Sequence, residues 1–118
     1  MKQLLLLAVC FFCFAVYAKS QRPTPVSDTI RVILENDKVK VTEYVSNPGK
    51  DICGKGKHSH NPHLSILFTD AKVTVTTSDG KTQIVDVAAG TAFWSEAETH
   101  IAINSGSKVA KAYIVEVK

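Results

Sequence analysis

The four histidines of the chain are spaced as the ligands of a metal ion would be. His58, His60 and His63 fall within six residues, and His100 stands far along the chain. An extended strand places residues i and i+2 on one face, so the pair His58 and His60 can direct two imidazoles at one point. His100 on a distant strand would complete a site inside a small β-barrel. Imidazole binds Fe, Mn, Zn, Ni and Cu, so we expect a divalent ion from this group.

Two further side chains are candidates for the same site. A strand is expected to begin at His63, after the turn dipeptide Asn61-Pro62. In that strand His63 and Ser65 have the same parity, so their side chains point to the same face. His63 can therefore be a fourth ligand, a neighbouring base or a residue at the rim of the barrel. Cys53 precedes the cluster in a glycine-rich stretch. It can be a further ligand, a redox-sensitive thiol or simply a small, partly buried side chain.

Such a site would favour anionic molecules. Neutral imidazoles with few carboxylates leave the charge of a divalent ion largely uncompensated, so the ion attracts anions and acidifies bound water. Apolar residues near the histidines are expected to line a dry cavity around it. They are Leu64, Ile66, Phe68, Phe93, Trp94, Ile101 and Ile103.

The elements that must position these residues are strands. Besides His58-Ser59-His60, the predicted strands are Ile30 to Leu34, Val39 to Val45, His63 to Thr69, Val73 to Thr77, Gln83 to Val87, Thr91 to Ser95, Thr99 to Asn104 and Val109 to Val117. Val39, Val41 and Val45 alternate with polar residues, and Ser78-Asp79-Gly80 is a strong hairpin turn. No stretch after the N-terminal segment shows helical periodicity. The pattern is typical of an all-β sandwich or barrel, and the number of strands suits a jelly roll.

Residues 1–18 have the pattern of a cleaved secretory signal peptide. Lys2 precedes an uncharged apolar run from Leu4 to Val16, and cleavage is predicted after Ala18. The run is shorter than the roughly 20 residues of a membrane-spanning helix, and lipid attachment at a signal cysteine fits less well. We therefore expect a secreted or periplasmic protein without stable membrane insertion. A polar lead-in over 19–29 would precede one domain over 30–118.

The charge and the cysteines narrow the function further. Removing Lys2 with the signal peptide leaves 13 Lys and Arg against 11 Asp and Glu, a net charge of +2. This mild charge argues against nucleic-acid binding, which needs a concentrated basic face. Cys10 and Cys13 would also be removed, so Cys53 has no partner for an internal disulfide.

The histidine spacing resembles that of small single-domain cupins, the RmlC-like jelly rolls. Their two motifs are G(x)5HxH(x)3–4E(x)6G and G(x)5PxG(x)2H(x)3N. His58-Ser59-His60 supplies the HxH of the first motif. Gly90, His100 and Asn104 approximate the spacing of the second. The resemblance covers about Ile30 to Lys118. It implies a cupin-type double-stranded β-helix with His58, His60 and His100 as metal ligands.

The chain departs from the motifs at the carboxylate. The glutamate of the first motif would fall at Leu64 or Ser65, and the proline and glycine of the second are replaced by Glu96 and Glu98. Three-histidine sites without the carboxylate occur in this superfamily, in thiol and diketone dioxygenases. Alternatively His63, Glu96 or Glu98 takes the place of the missing ligand.

Three kinds of function agree with this resemblance. The first is a metal-dependent dioxygenase or isomerase acting on a small anionic or enolisable substrate, with Glu98 or His63 as the candidate base and Asn104 or Tyr113 orienting groups nearby. The second is a non-catalytic secreted module that binds a metal or a small ligand. The third is a structural homodimer with a relict site. The fold alone does not decide among them.

Overall fold

The structure is a computed structural model and describes residues 27–118. Within that range there are nine strands: β1 Thr29–Glu35, β2 Val39–Ser46, β3 His58–His60, β4 His63–Leu67, β5 Ala71–Thr77, β6 Thr82–Val87, β7 Ala92–Ser95, β8 Glu98–Asn104 and β9 Ala110–Val117. No helix over these residues has the length and hydropathy that a membrane crossing requires. The signal peptide predicted for 1–18 and most of the lead-in over 19–29 lie outside the described residues.

The strands form two antiparallel sheets that face each other. The first has the order β1-β2-β9-β4-β7 and the second the order β3-β8-β5-β6. Residues of β4, β7 and β9 in one sheet and of β5, β6 and β8 in the other line a shared cavity. Two facing antiparallel sheets without an intervening helix are the jelly roll that the sequence predicts.

The predicted hairpin between β5 and β6 is confirmed. Gly80 has a φ of +84° and lies in the turn, where residues with a side chain are disfavoured. The amide of Gly80 donates to the carbonyl of Thr77, and the amide of Thr77 donates to the carbonyl of Lys81, both at 2.9 Å. The turn therefore fixes the register of the β5–β6 edge.

On β4, β8 and β9 the face that is turned inward carries mostly small and polar side chains. On β4 the buried residues are His63, Ser65 and Leu67, and on β8 they are His100, Ala102 and Asn104. The buried residues of β9 are Ala110, Ala112 and Ile114. Because side chains alternate across a strand, the larger residues between them point to the outer face. The interior therefore keeps room for a site.

The segment between β2 and β3 extends the second sheet along the edge of β8. The amide of Ile52 donates to the carbonyl of Ala102 at 3.0 Å, and the amide of Asn104 donates to the carbonyl of Lys50 at 2.8 Å. Asp51 forms a β-bridge with Ile103. One end of β8 therefore pairs with residues 49–52 and the other with β3.

Candidate metal centre

Strand pairing brings three of the four histidines together. β3 runs antiparallel to β8, and His58 lies directly opposite His100. His60 follows on the same face of β3, and its ring centroid lies 4.8 Å from that of His58 and 5.6 Å from that of His100. The convergence predicted for His58, His60 and His100 is thus present in the geometry.

Cys53 completes a group of four potential ligands. Its Sγ lies 3.4 Å from His58 Nε2 and 3.2 Å from His100 Nε2, and these two nitrogens are 3.1 Å apart. One ligand atom from each of Cys53, His58, His60 and His100 lies within 4.8 Å of the other three. The backbone pairing of residues 49–52 with β8 holds the cysteine there, since Cys53 follows Ile52 directly.

The outward nitrogen of each imidazole faces an oxygen acceptor. His58 Nδ1 donates to the carbonyl of Gly56 at 2.8 Å, and His60 Nδ1 contacts Glu116 Oε1 at 3.1 Å. His100 Nδ1 lies 3.4 Å from Glu98 Oε1. Carbonyl and ionised carboxylate oxygens only accept, so in His58 and His60 they assign the proton to Nδ1 and leave Nε2 with a lone pair. Metal-bound histidines usually have an outer partner of this kind.

Burial favours the uncharged forms of Cys53, His60 and His100. Burial lowers the pKa of His60 below its ordinary value of 6.5, although the hydrogen bond to Glu116 acts in the opposite direction. Burial also lowers the pKa of His100, and the Glu98 carboxylate opposes that shift. Burial raises the pKa of Cys53 to about 12, and the negative charges of Glu98 and Asp51 add to it. The two imidazoles are thus neutral at pH 7, and the thiol needs a nearby cation to ionise.

The donor set fits a transition-metal ion. His60 Nε2 is buried and has no hydrogen-bond partner among the described residues, a costly arrangement unless something binds there. Ligand atoms at about 2.0–2.3 Å from a tetrahedral zinc ion lie roughly 3.3–3.6 Å from one another. The separations of 3.1–3.4 Å among Cys53, His58 and His100 are close to that range. The lone pairs of His58 and His60 Nε2, beside His100 Nε2 and the Cys53 sulfur, favour a cation.

His63 lies beside this group but outside it. Its side chain is buried, and its Nδ1 donates to the carbonyl of Asn61 at 2.8 Å. Its ring centroid is 4.8 Å from that of His60, and its Nε2 is 3.7 Å from Glu98 Oε1. The parity predicted for His63 and Ser65 is confirmed, since both line the cavity.

The two glutamates near β8 take different positions. Glu98 lies between His63 and His100 and lines the cavity. Glu96 is exposed and accepts a hydrogen bond from Trp94 Nε1 at 2.9 Å. Of the two, Glu98 is therefore the one placed to act on groups in the barrel.

A cavity of about 230 Å³ lies between the two sheets next to these residues. Cys53, His63, Glu98 and His100 form its polar end. Most of the remaining wall is apolar: Ile52, Leu67, Val73, Val75, Val85, Val87, Phe93, Ala102, Ala112 and Ile114, with Ser65 and Ser95. A small molecule held there would contact both the histidine group and an apolar wall.

The predicted apolar lining is wrong for all but Phe93. Leu64, Ile66, Ile101 and Ile103 alternate with the buried residues of β4 and β8 and point to the outer face. Phe68 and Trp94 are 48% and 52% exposed. The prediction failed because it selected residues by apolarity near the histidines, whereas strand parity decides which residues face inward.

The suggestion that Asn104 and Tyr113 orient groups at the site is also wrong. Asn104 is fully buried at the opposite end of β8 from Glu98, where its Nδ2 donates to the carbonyls of Ser46 and Lys108. Tyr113 alternates with the buried residues of β9 and stacks edge-on with Phe68, with 4.4 Å between centroids. Both residues have structural contacts instead.

Sequence reasoning missed two residues that shape the site. Glu116 contacts His60 from β9, which is far away in the chain, and no local motif indicates it. Gly54 lies against His58: a Cβ placed on Gly54 would be 2.5 Å from Cδ2 of that ring. The glycine-rich character of the stretch was the available signal for Gly54.

Comparison with known proteins identifies the fold. The sequence matches no family model and no curated protein. Among solved structures, a cupin domain from Bordetella pertussis Tohama I is 24% identical with a TM-score of 0.69, covering 77% of this chain and 93% of that one. An RmlC-like cupin family protein from Methanocaldococcus jannaschii, described as a double-stranded β-helix, is 13% identical with a TM-score of 0.64, covering 81% and 84%.

A third similar structure is an enzyme by name. The polyketide cyclase RemF from Streptomyces resistomycificus is 19% identical with a TM-score of 0.56, and the match covers 75% of this chain and 63% of that one. At these identities the likeness establishes the fold alone. The facing antiparallel sheets and the similar structures together show that the described part of the chain has the cupin fold, a double-stranded β-helix.

Proposed function

We propose that this cupin domain binds one divalent transition-metal ion through His58, His60 and His100. The convergence of three buried or half-buried imidazoles carries the proposal. Each has its Nδ1 beside an oxygen acceptor. The Nε2 atoms of His58 and His100 lie 3.1 Å apart, and the buried Nε2 of His60 has no partner among the described residues. Iron, manganese, zinc, nickel and copper all accept imidazole ligands. The cofactor is therefore a metal of this group.

The cavity beside the histidines supports a small-molecule substrate. Its volume is about 230 Å³. An apolar wall with a charged end suits a small molecule with an anionic or enolisable head and an apolar body. A metal ion at the charged end would supply Lewis-acid or redox chemistry to that head. A dioxygenase or isomerase reaction on such a molecule is the activity we propose.

His63 is placed to accept a proton from a molecule in the cavity. The carbonyl of Asn61 holds the proton on Nδ1, so Nε2 carries the lone pair. The Glu98 carboxylate, 3.7 Å from that Nε2, would stabilise the imidazolium that forms. Glu98 also faces His100, so its negative charge orients two imidazoles at once. The similar structure of RemF is that of a polyketide cyclase, an enzyme by name, and this agrees with a catalytic role for the present fold.

A non-catalytic metal-binding module is the second candidate. The observation that favours it is Cys53, whose Sγ lies within 3.4 Å of two of the three histidines. A fourth protein ligand closes the coordination sphere, as in structural zinc sites, whereas catalytic sites keep a position open. Turnover of a small substrate separates the two candidates.

Elemental analysis of the purified domain tests the metal proposal. We expect close to one transition-metal ion per chain in the wild type and in His63→Ala, because His63 lies outside the group. The double variant His58→Ala, His60→Ala should lose the ion while its circular dichroism spectrum stays that of a β-protein. Wild-type protein that takes up none of the five metals on dialysis would overturn the proposal.

We propose that the protein acts outside the cytoplasm, because residues 1–18 have the pattern of a signal peptide. Mass spectrometry of the protein recovered from a secreting host should find a chain that begins at Lys19. A full-length chain confined to the cytoplasm would contradict this localisation.

An exposed apolar edge strand supports a second copy of this chain as the partner, in a homodimer. The edge strand β1 exposes Ile30, Val32 and Leu34 at 59%, 47% and 52%. Exposed apolar residues on an unpaired edge favour association. Light scattering should give the mass of two chains for the wild type and of one for Val32→Lys. A monomeric wild type at working concentrations would exclude the homodimer.

A further inference from the structure

We infer that the Cys53 thiolate is the fourth protein ligand of the metal, so that the site consists of three imidazoles and one sulfur and selects zinc over iron and manganese. The inference rests on the metal site proposed above and extends it to the identity of the ion. Because a fourth protein ligand closes the coordination sphere, it favours the non-catalytic candidate. The Cys53 thiolate would take the place of the carboxylate that the cupin motif puts at Leu64 or Ser65.

The position of Cys53 is fixed by the backbone. The amide of Ile52 donates to the carbonyl of Ala102, and Asp51 bridges Ile103, so the segment follows the edge of β8 up to the cysteine. The thiol then lies 3.2 Å from His100 Nε2 and 3.4 Å from His58 Nε2. The sulfur is therefore held at the distance at which two ligands of one ion lie.

A second observation points to a ligand at the same place. The side chain of His60 is 4% exposed, and its Nε2 has no partner among residues 27–118 although it is buried. The ligand atoms of His60 and Cys53 lie within 4.8 Å of each other. A cation between them would satisfy the imidazole nitrogen and the sulfur together, which a thiol hydrogen bond to His58 or His100 cannot do.

Charge explains why a sulfur would serve here. Three neutral imidazoles leave a divalent ion with its full charge, whereas a thiolate cancels one unit. As the metal–sulfur bond forms, the thiol proton is released to solvent and no electrons change hands. Soft thiolate ligands favour zinc and copper(I), whereas carboxylate and water ligands suit manganese. With Leu64 and Ser65 at the motif positions, Cys53 is the member of the four-residue group that would become anionic on binding the ion.

Cobalt(II) is the probe that tests this ligand. Under reducing, oxygen-free conditions, wild-type protein titrated with cobalt should develop a near-ultraviolet sulfur-to-cobalt charge-transfer band that saturates at one equivalent. Cys53→Ser, which is close to isosteric, should still bind cobalt but without that band. Its affinity should be lower by at least about 10–100-fold, since losing a ligand costs no less than losing an outer-shell partner. Ser65→Ala, a change elsewhere in the cavity wall, should retain both the band and the affinity.

Competition between zinc and manganese is the second measurement. The preference for zinc should fall at least about 10-fold in Cys53→Ser, because the soft donor is lost. Cobalt binding by the wild type without a charge-transfer band, and with equal affinity in Cys53→Ser, would overturn the role of Cys53 and leave the histidine site standing. No cobalt binding by any of these proteins would instead overturn the proposed function. Circular dichroism of each variant excludes a folding failure as the cause.

Discussion

At the scale of single residues, Gly54 controls the position of a candidate metal ligand. A Cβ at this position would lie 2.5–2.8 Å from three atoms of the His58 ring. Real side chains do not approach so closely, so the imidazole would have to move. His58 is also tied to the carbonyl of Gly56, and moving the ring would stretch that hydrogen bond. A glycine is therefore required next to the site for steric reasons.

The variant Gly54→Ala is expected to weaken metal binding by about 10–100-fold, the range for lost outer-shell support of a ligand. Gly49→Ala is the matched control: its φ is +81°, but a Cβ there meets no atom within 4 Å. Gly49→Ala should cost roughly 1–2 kcal/mol of stability, because a side chain is disfavoured at a left-handed φ, and should leave metal affinity unchanged. Isothermal titration with zinc measures the affinity of both variants, and urea denaturation measures the stability of Gly49→Ala. Equal affinities for the two variants would contradict the steric role of Gly54.

At the scale of the strands, local signals in the sequence predicted much of the fold. Alternation on β2 and the turn at Gly80 follow from local backbone preferences, so the corresponding strands were predicted within a few residues. The pair His58 and His60 was predicted for the same reason, because two residues of one strand share a face. Strand pairing was not predicted: that His58 lies opposite His100 is a long-range register.

The errors about the cavity lining depend on which strand face is turned inward. Apolarity suggested Leu64 and Ile101 for the cavity, yet the interior takes His63, Ser65 and Ala102. On β4 and β8 mostly small and polar residues face the cavity, while the larger aliphatic residues of these two strands cover the outside. Hydrophobicity ranks residues by their tendency to be buried but does not reveal a face reserved for a site.

Asn104 connects three elements, so its loss should destabilise the fold rather than the site. Its side chain donates to the carbonyls of Ser46 and Lys108 and accepts from the amide of Gly106, all while fully buried. Asn104→Ala leaves these groups without partners and should lower the free energy of unfolding by about 2–4 kcal/mol. Urea denaturation measures the loss.

Asn36 provides the comparison for that variant. It accepts from the amides of Lys38 and Val39 in an exposed turn. Asn36→Ala should cost about 0.5–1 kcal/mol, since water replaces the lost bonds. Metal affinity should be unchanged in both variants. A large loss of metal affinity in Asn104→Ala with little loss of stability would contradict the structural role and show that Asn104 acts at the site.

At the scale of the whole molecule, the buried histidines make stability depend on pH. Burial lowers the pKa of His60 and His100 in the folded chain below the ordinary value of 6.5. Between the lowered pKa and 6.5, the unfolded chain therefore binds protons that the folded chain does not. Stability is fully present above about pH 6.5 and is lost as the pH falls below it.

Metal-free protein should accordingly have a lower free energy of unfolding at pH 5.5 than at pH 7.5. Urea denaturation in the presence of a chelator gives both values, and His60→Gln should reduce the difference between them. Metal affinity should also weaken with falling pH, because protons compete for the same nitrogens. The lowered pKa values move the onset of that weakening below the 6.5 of a free imidazole. Unfolding free energies that are identical at the two pH values would contradict the burial argument.

The short pairing of β3 has a practical consequence. Only three residue pairs join this strand to β8, and the loop before it carries the exposed Lys55 and Lys57 between Cys53 and His58. An ion bound by Cys53 and His58 would fix the two ends of that loop to the barrel. Limited proteolysis with trypsin should then cut after Lys55 and Lys57 rapidly in chelated protein and slowly in zinc-loaded protein. The nicking rate of this one loop would thereby report ion occupancy without any optical label.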